Sequence, residues 1–205
     1  MNKVVKKAKN SIIIQKKKYL FLITIMCVGV ISGMAFIFFI SKGDKSLVKQ
    51  ELELFLSTIK DAKINYVSSL FNSISSNLLY LIIIWLLGIS IIGIPIIIFL
   101  LFLKGFIFGF STSSIVSIYG LKGLLLSFAT QFPHSIILLI TFLLIGFYAI
   151  NFSIHLFQIL FFKKDLNLSL YFKRYNQITL LSFIIIIICG LIETFFIPFL
   201  VKFFL

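Results

Sequence analysis

Apolar residues in this chain come in long unbroken runs, not in the two-residue alternation of half-buried strands. A helical span needs about 20 such residues. Tyr19–Ile40 is the first run of that length, and residues 78–103, 135–162 and 178–201 are others. Gly105–Tyr119 is shorter and carries Ser111, Thr112, Ser113, Ser114 and Ser117, yet reads as a fifth. Lys104 between 78–103 and 105–119 reads as a very short turn, and Pro95 as a kink within the second span. Leu124–Phe132 is apolar but too short to cross, so residues 120–134 are expected to be re-entrant or interfacial. The predicted fold is all-α: a polytopic integral membrane protein of five transmembrane helices (19–40, 78–103, 105–119, 135–162, 178–201).

The one long polar stretch, residues 41–77, has a helical pattern of its own. Val48, Leu52, Phe55 and Ile59 step by four, three and four, and Val67, Leu70 and Ile74 continue by three and four. This amphipathic segment is expected outside the cytoplasm, with Val48, Leu52, Phe55 and Ile59 as a partner-docking face and Phe55 as its best anchor.

Composition agrees with the pattern. The chain of 205 residues is 60% hydrophobic and only 12% charged, where soluble domains average about 45–50% and about 25%. Nineteen basic residues face six acids, a net charge of +13. Because the cations sit between apolar runs, they point to the membrane surface and not to nucleic acid. Seven lysines fill residues 1–18. The run behind them is too long for a cleaved signal and no small-residue cleavage site follows, so it reads as an uncleaved anchor. Val4, Val5, Ala8 and Ile12 share a helical face that would suit a leader lying on anionic lipids of the inner leaflet. Five spans with a cytoplasmic N-terminus put the leader, Lys104 and the basic cluster of the 163–177 loop (Lys163, Lys164, Lys173, Arg174) inside, and the C-terminus outside. That satisfies the positive-inside rule; a sixth crossing would send the cationic loop out.

Little chemistry is written into the chain. Cys27 and Cys189 are isolated in apolar runs, which argues against a disulfide framework, and no metal or cofactor motif is present. Gly109-Phe110-Ser111-Thr112 lacks the glycine that an intramembrane serine protease would place after its serine. Glu193 is the one acid inside a span, and His134 opens the fourth span at the same end, so the two are expected to pair near the outer interface. Gly29 with Gly33 and Gly105 with Gly109 fit small-residue helix packing. Asn151, His155 and Gln158 share one helical face and read as polar glue between helices. That face, Glu193 and the kinked second span also support the rival reading, a transporter or permease component.

The stretch Ser76-Asn77-Leu78, then Trp85-Leu86-Leu87-Gly88-Ile89-Ser90-Ile91-Ile92-Gly93-Ile94-Pro95, Phe102-Leu103-Lys104-Gly105 and Gly109-Phe110 resembles the stage II sporulation protein M family. Gly120-Leu121-Lys122-Gly123-Leu124-Leu125-Leu126-Ser127-Phe128 and Phe132-Pro133 continue the likeness. Family members often carry Pro-His-Gly and then an acid; here Pro133-His134-Ser135 is followed by five apolar residues. The resemblance implies a non-enzymatic membrane scaffold for engulfment during endospore formation, on the mother-cell side of the septum. Its partners would be the peptidoglycan-degrading stage II sporulation proteins D and P, with a homo-oligomer as a further expectation.

Overall fold

In the computed structural model, which describes residues 2–60, 65–162 and 167–204, every regular element among the described residues is helical. Helix α1 is Asn2–Phe36, α2 Lys42–Lys60, α3 Tyr66–Gly88, α4 Gly93–Phe162 and α5 Leu168–Leu191. A π-helical turn, Ile192–Phe196, joins α5 to α6, Ile197–Phe204. Five stretches are long and apolar enough to cross a membrane: Gln15–Phe36, Tyr66–Gly88, Gly93–Phe132, His134–Phe162 and Leu168–Val201.

α4 is two antiparallel limbs. Gly120 has φ 59° and ψ −135°, a conformation that costs any residue with a Cβ dearly, and the chain reverses there. Thr112 Oγ1 hydrogen-bonds Gln131 Oε1 at 3.1 Å, and the rings of Phe108 and Phe132 lie 6.3 Å apart. Those residues would be over 25 Å apart along a straight helix of about 1.5 Å rise. The first limb, 93–119, is about 40 Å long by the same rise and spans by itself. The second, 121–162, returns beside it.

The span boundaries therefore differ from the sequence expectation. The second span closes at Gly88, not at residue 103, and a tight turn over residues 89–92 starts the third at Gly93. Pro95 does not kink a span. It lies in the first turn of α4, where its missing N–H would have had no helical partner. Lys104 is not a turn residue but the middle of a continuous helix. Residues 120–134 are not a separate re-entrant loop; they form the reversal and the first turns of the returning limb. Residues 66–77, expected in the polar segment, are the opening turns of α3. The leader continues in line with α1; its side chains through residue 14, and residues 163–166 of the basic loop, lie outside the described residues.

α1 packs parallel to the first limb of α4 at unusually close range. A Cβ on Gly29 would strike the Phe102 carbonyl, and one on Gly33 the Phe106 carbonyl. Reciprocally, Gly105 lies on the Met26 carbonyl and Gly109 on that of Val30. Both small-residue pairs thus meet in one seam, where backbones approach and dispersion contacts accumulate. Phe36 closes it, edge-on to Phe106 and Phe110.

α3 and α5 run antiparallel across the other face of the hairpin. Tyr175, 1% exposed, donates to the carbonyl of Trp85 at 3.0 Å and fills the space left by Gly88. Ser153 Oγ donates to the Gly88 and Ser90 carbonyls at 2.6 and 3.1 Å, tying down the turn after α3. Ile84, Ile97, Leu101, Phe142 and Ile145 are fully buried between these helices and make a solid apolar centre.

Candidate functional site: a polar chamber under α2

The other half of the bundle is not solid. A cavity of about 560 Å³ lies between the two limbs of α4, α3 and the π-turn, roofed by α2. Each wall follows from helical periodicity. Lys104, Ile107, Phe108, Ser111 and Ile115 form one face of the first limb, and Gln131, His134, Ser135 and Leu138 one face of the second. Ser69 and Asn77 contribute from α3 at a spacing of two turns.

Glu193 enters from the π-turn. Pro198 cannot donate to Thr194, four residues back, and its ring crowds that carbonyl. The helix widens over Ile192–Phe196, a bulge of the kind that redirects side chains at functional sites. The Thr194 hydroxyl, buried within it, has no hydrogen-bond partner among the described residues.

Three ionisable groups share the chamber. His134 Nε2 is 3.7 Å from Glu193 Oε2 and 3.1 Å from Ser135 Oγ. Ser73 Oγ donates to the same Glu193 oxygen. Lys104 Nζ donates to Asn77 Oδ1 at 2.9 Å, and Asn77 is itself held by donating to the Ser73 carbonyl at 2.9 Å. The ammonium also lies 4.8 Å from the Tyr80 ring centre and 4.6 Å from that of Phe142, close enough for cation–π attraction. Gln131 connects the limbs by donating to Ser111 Oγ and accepting from Thr112. Lys104 lies about 16 Å along its limb from Gly93. In a hydrocarbon core about 30 Å thick, that sets the floor of the chamber near the middle of the membrane.

The expected His134–Glu193 neighbours are thus brought together. Lys104 is the residue that sequence reasoning missed. A lysine between apolar runs resembles a loop marker, and its partner Asn77 stands 27 positions earlier. The usable signal was at Gly88 to Gly93, where glycine at a helix end is followed shortly by Pro95, the ordinary stop-and-start punctuation. Recognising it would have carried the third span through Lys104.

The expected docking face on α2 is largely spent inside the molecule. Ile59 is 2% exposed and Leu56 8%, packed with Ile115, Leu126, Ile197 and Val201, and Leu52 leans on the same cluster. Val48 is half-buried, and Phe55 keeps 46% exposure while also lining the chamber. The helix starts at a serine N-cap: Ser41 Oγ accepts from the Asp44 N–H at 3.1 Å and donates to its carboxylate at 2.7 Å.

The remaining polar face lies at the opposite end. Asn151 Oδ1 accepts from Lys18 Nζ at 3.1 Å, and His155 Nδ1 is 2.6 Å from the Asn151 carbonyl while its ring stacks on Tyr171, 3.9 Å between centres. Gln158 is half-buried on the same face. These residues join α4 to α1 and α5 and do not reach the chamber.

No curated protein and no solved structure matches the chain significantly. A family profile described as Stage II sporulation protein M does match, over residues 21–198. That interval runs from the first spanning helix through α2 and both limbs of α4 to Pro198, and so includes every chamber residue named above. The chain belongs to the stage II sporulation protein M family, and is a sporulation-related, multi-helix membrane protein.

Proposed function

We propose that this protein is a membrane scaffold for engulfment, holding the peptidoglycan-degrading stage II sporulation proteins D and P at the mother-cell side of the septum and performing no catalysis itself. Family membership is the observation that carries the reading. Charge supports the orientation it needs. With the N-terminus inside, the seven leader lysines and the 163–174 cluster fall in the cytoplasm, while the nearly neutral α2 segment faces the wall. The leader lysines would hold anionic lipid at the inner surface.

The docking surface of this scaffold is the outward side of α2, not the side first expected. With Leu52, Leu56 and Ile59 turned inward, the helix is mounted rigidly and presents Leu47 and Leu54, 59% and 61% exposed, among Lys45, Glu51 and Lys49. The Lys49–Glu53 pair, 3.7 Å apart, is solvated and only trims the helix surface. Leu47 and Leu54 stand seven residues apart, so one partner helix can cover both.

The test is recovery of the two hydrolases from sporulating cells in mild detergent. Leu47→Ser with Leu54→Ser should leave the protein level normal, lose both partners and stall engulfment with the septal wall unthinned. Normal recovery and normal engulfment with the double variant would reject docking on α2.

A transporter component is the second reading, favoured by charged residues near the midplane. Beyond Lys104, however, Ile84, Ile97, Leu101, Phe142 and Ile145 are fully buried and separate the chamber from a smaller cavity of about 290 Å³ beside Lys18 and Asn151. The chamber is a blind vestibule, which suits binding better than passage.

A further inference from the structure

The close seam between α1 and the first limb ends where the glycines end. α1 has no glycine before Gly29. One to two turns toward the leader lies the second cavity, of about 290 Å³, between α1 and both limbs of α4. Its walls are apolar: Phe21 and Leu22 from α1, Ile98 from the first limb, and Phe147, Ile150 and Ile154 from the second. Leu22 and Ile150 are buried and form its floor, while Phe21, 52% exposed, stands at its lip. The cavity therefore opens sideways, toward the lipid around the bundle. A void between apolar walls forfeits dispersion contacts, and water finds no partners in it. Hydrocarbon restores those contacts.

The mouth has the opposite character. Lys17 and Lys18 line it from α1, and Asn151 from the second limb. Lys18 Nζ donates to Asn151 Oδ1 at 3.1 Å, so ammonium and amide are held together at one point of the rim. That contact uses one of three ammonium donors and the amide oxygen, and leaves the amide N–H groups free to donate outward. The acids among the described residues, Asp44, Glu51, Glu53 and Glu193, belong to α2 and the π-turn, at the other end of the molecule. Tyr19, edge-on to Phe147 with ring centres 5.5 Å apart, sets the rim at the level of the lipid head groups, where such rings settle. Lysines at that level lay their stems on apolar surface and extend the ammonium among the head groups.

We propose that this cavity holds one acyl chain of an anionic phospholipid, whose phosphate sits against Lys17, Lys18 and the Asn151 amide. Rim and wall match such a lipid in order, charge outside and hydrocarbon within. Basic pockets between spanning helices bind lipid heads in this way, and lysine acts on phosphate as a point charge. The site is independent of the scaffold reading, and sharpens that of the leader lysines: surface charge attracts any anionic lipid, whereas a cavity retains one molecule. It needs only that α1 spans, whichever way the termini face.

The experiment is native mass spectrometry of the full chain, released from detergent after exposure to equal amounts of phosphatidylglycerol and phosphatidylcholine with the same acyl chains. One phosphatidylglycerol should stay bound per chain, preferred by more than about tenfold. Lys17→Gln, at an exposed side chain, should cut that preference about fivefold, the worth of one lysine at an anionic surface. Lys18→Gln should cut it at least as far, and Lys18→Arg should restore most of it. Ile98→Phe, which fills the cavity and keeps both lysines, should lose the bound lipid. Replacing Lys3, Lys6, Lys7 and Lys9 together by Gln should leave it in place. Equal retention of the two lipids, full preference in both Lys17→Gln and Lys18→Gln, or undiminished binding in Ile98→Phe would overturn the proposal. Loss of the bound lipid on neutralising the leader alone would also reject the cavity site and return anionic lipid to the leader surface.

Discussion

His134 and Glu193 meet although 59 residues separate them in the chain, and their pairing makes a sharp prediction. With Nε2 3.7 Å from the carboxylate and Ser73 on the same oxygen, the partly exposed Glu193 compensates the burial of His134. His134→Gln and Glu193→Gln should each lower the unfolding midpoint in detergent. The double variant should lose less than their sum, with a coupling of about 1 kcal/mol. Strict additivity would mean that the residues are neighbours without interaction. This pair was legible in the sequence because Glu193 is the one acid inside a span and His134 opens a neighbouring span at the same end, and an intramembrane charge must find a partner. Lys104 was not, because its satisfaction depends on Asn77, Tyr80 and Phe142, contacts that exist only after α3 and the returning limb have packed. The orphaned Thr194 hydroxyl was equally unreadable, since it follows from a local widening of the helix.

Among the elements, the α1–α4 seam and the Gly120 reversal call on glycine for different reasons, and substitution separates them. Gly29→Val and Gly109→Val place side-chain carbon on the Phe102 and Val30 backbones, which cannot yield as a flexible side chain could. Each should cost at least about 1–3 kcal/mol and lower the unfolding midpoint. Gly120→Ala meets nothing within 4 Å, so its cost is conformational alone, about 1–3 kcal/mol for holding alanine in that backbone region. Gly43→Ala, whose nearest contact would be Ser41 Oγ at 3.6 Å, should change almost nothing. Equal midpoints across the four variants would contradict both accounts. The glycine spacing was visible in the sequence; that both pairs share one seam was not, because spacing says nothing of which helices meet. The reversal at Gly120 was marked, but its consequence was misjudged: the apolar turn at 89–92 hid the true start of the third span, and every boundary up to residue 134 shifted.

The whole molecule has two unlike ends. One carries Lys18, the tight turn after α3 and the Tyr175 network, and is tied together by side-chain hydrogen bonds to backbone and Asn151. The other holds the chamber, the α2 roof and α6. The proposed scaffold needs this second end to face away from the cytoplasm. Hydropathy made the class and five spans readable, because bilayer thickness acts on local composition, and charge supplies the orientation to be tested. The chamber was not readable, since it is assembled from four helices and a roof whose apolar side looked free for a partner. The most direct test of this architecture is thiol accessibility in intact cells, starting from a chain in which Cys27 and Cys189 are replaced by Ser. Single cysteines would be placed at three exposed positions: Ser57 on α2, Leu121 at the hairpin tip and Ser169 near the basic loop. An impermeant maleimide should label Ser57→Cys and Leu121→Cys, and should reach Ser169→Cys only after the membrane is permeabilised. Ready labelling of Ser169→Cys in intact cells, or protection of Leu121→Cys, would contradict the five-span arrangement.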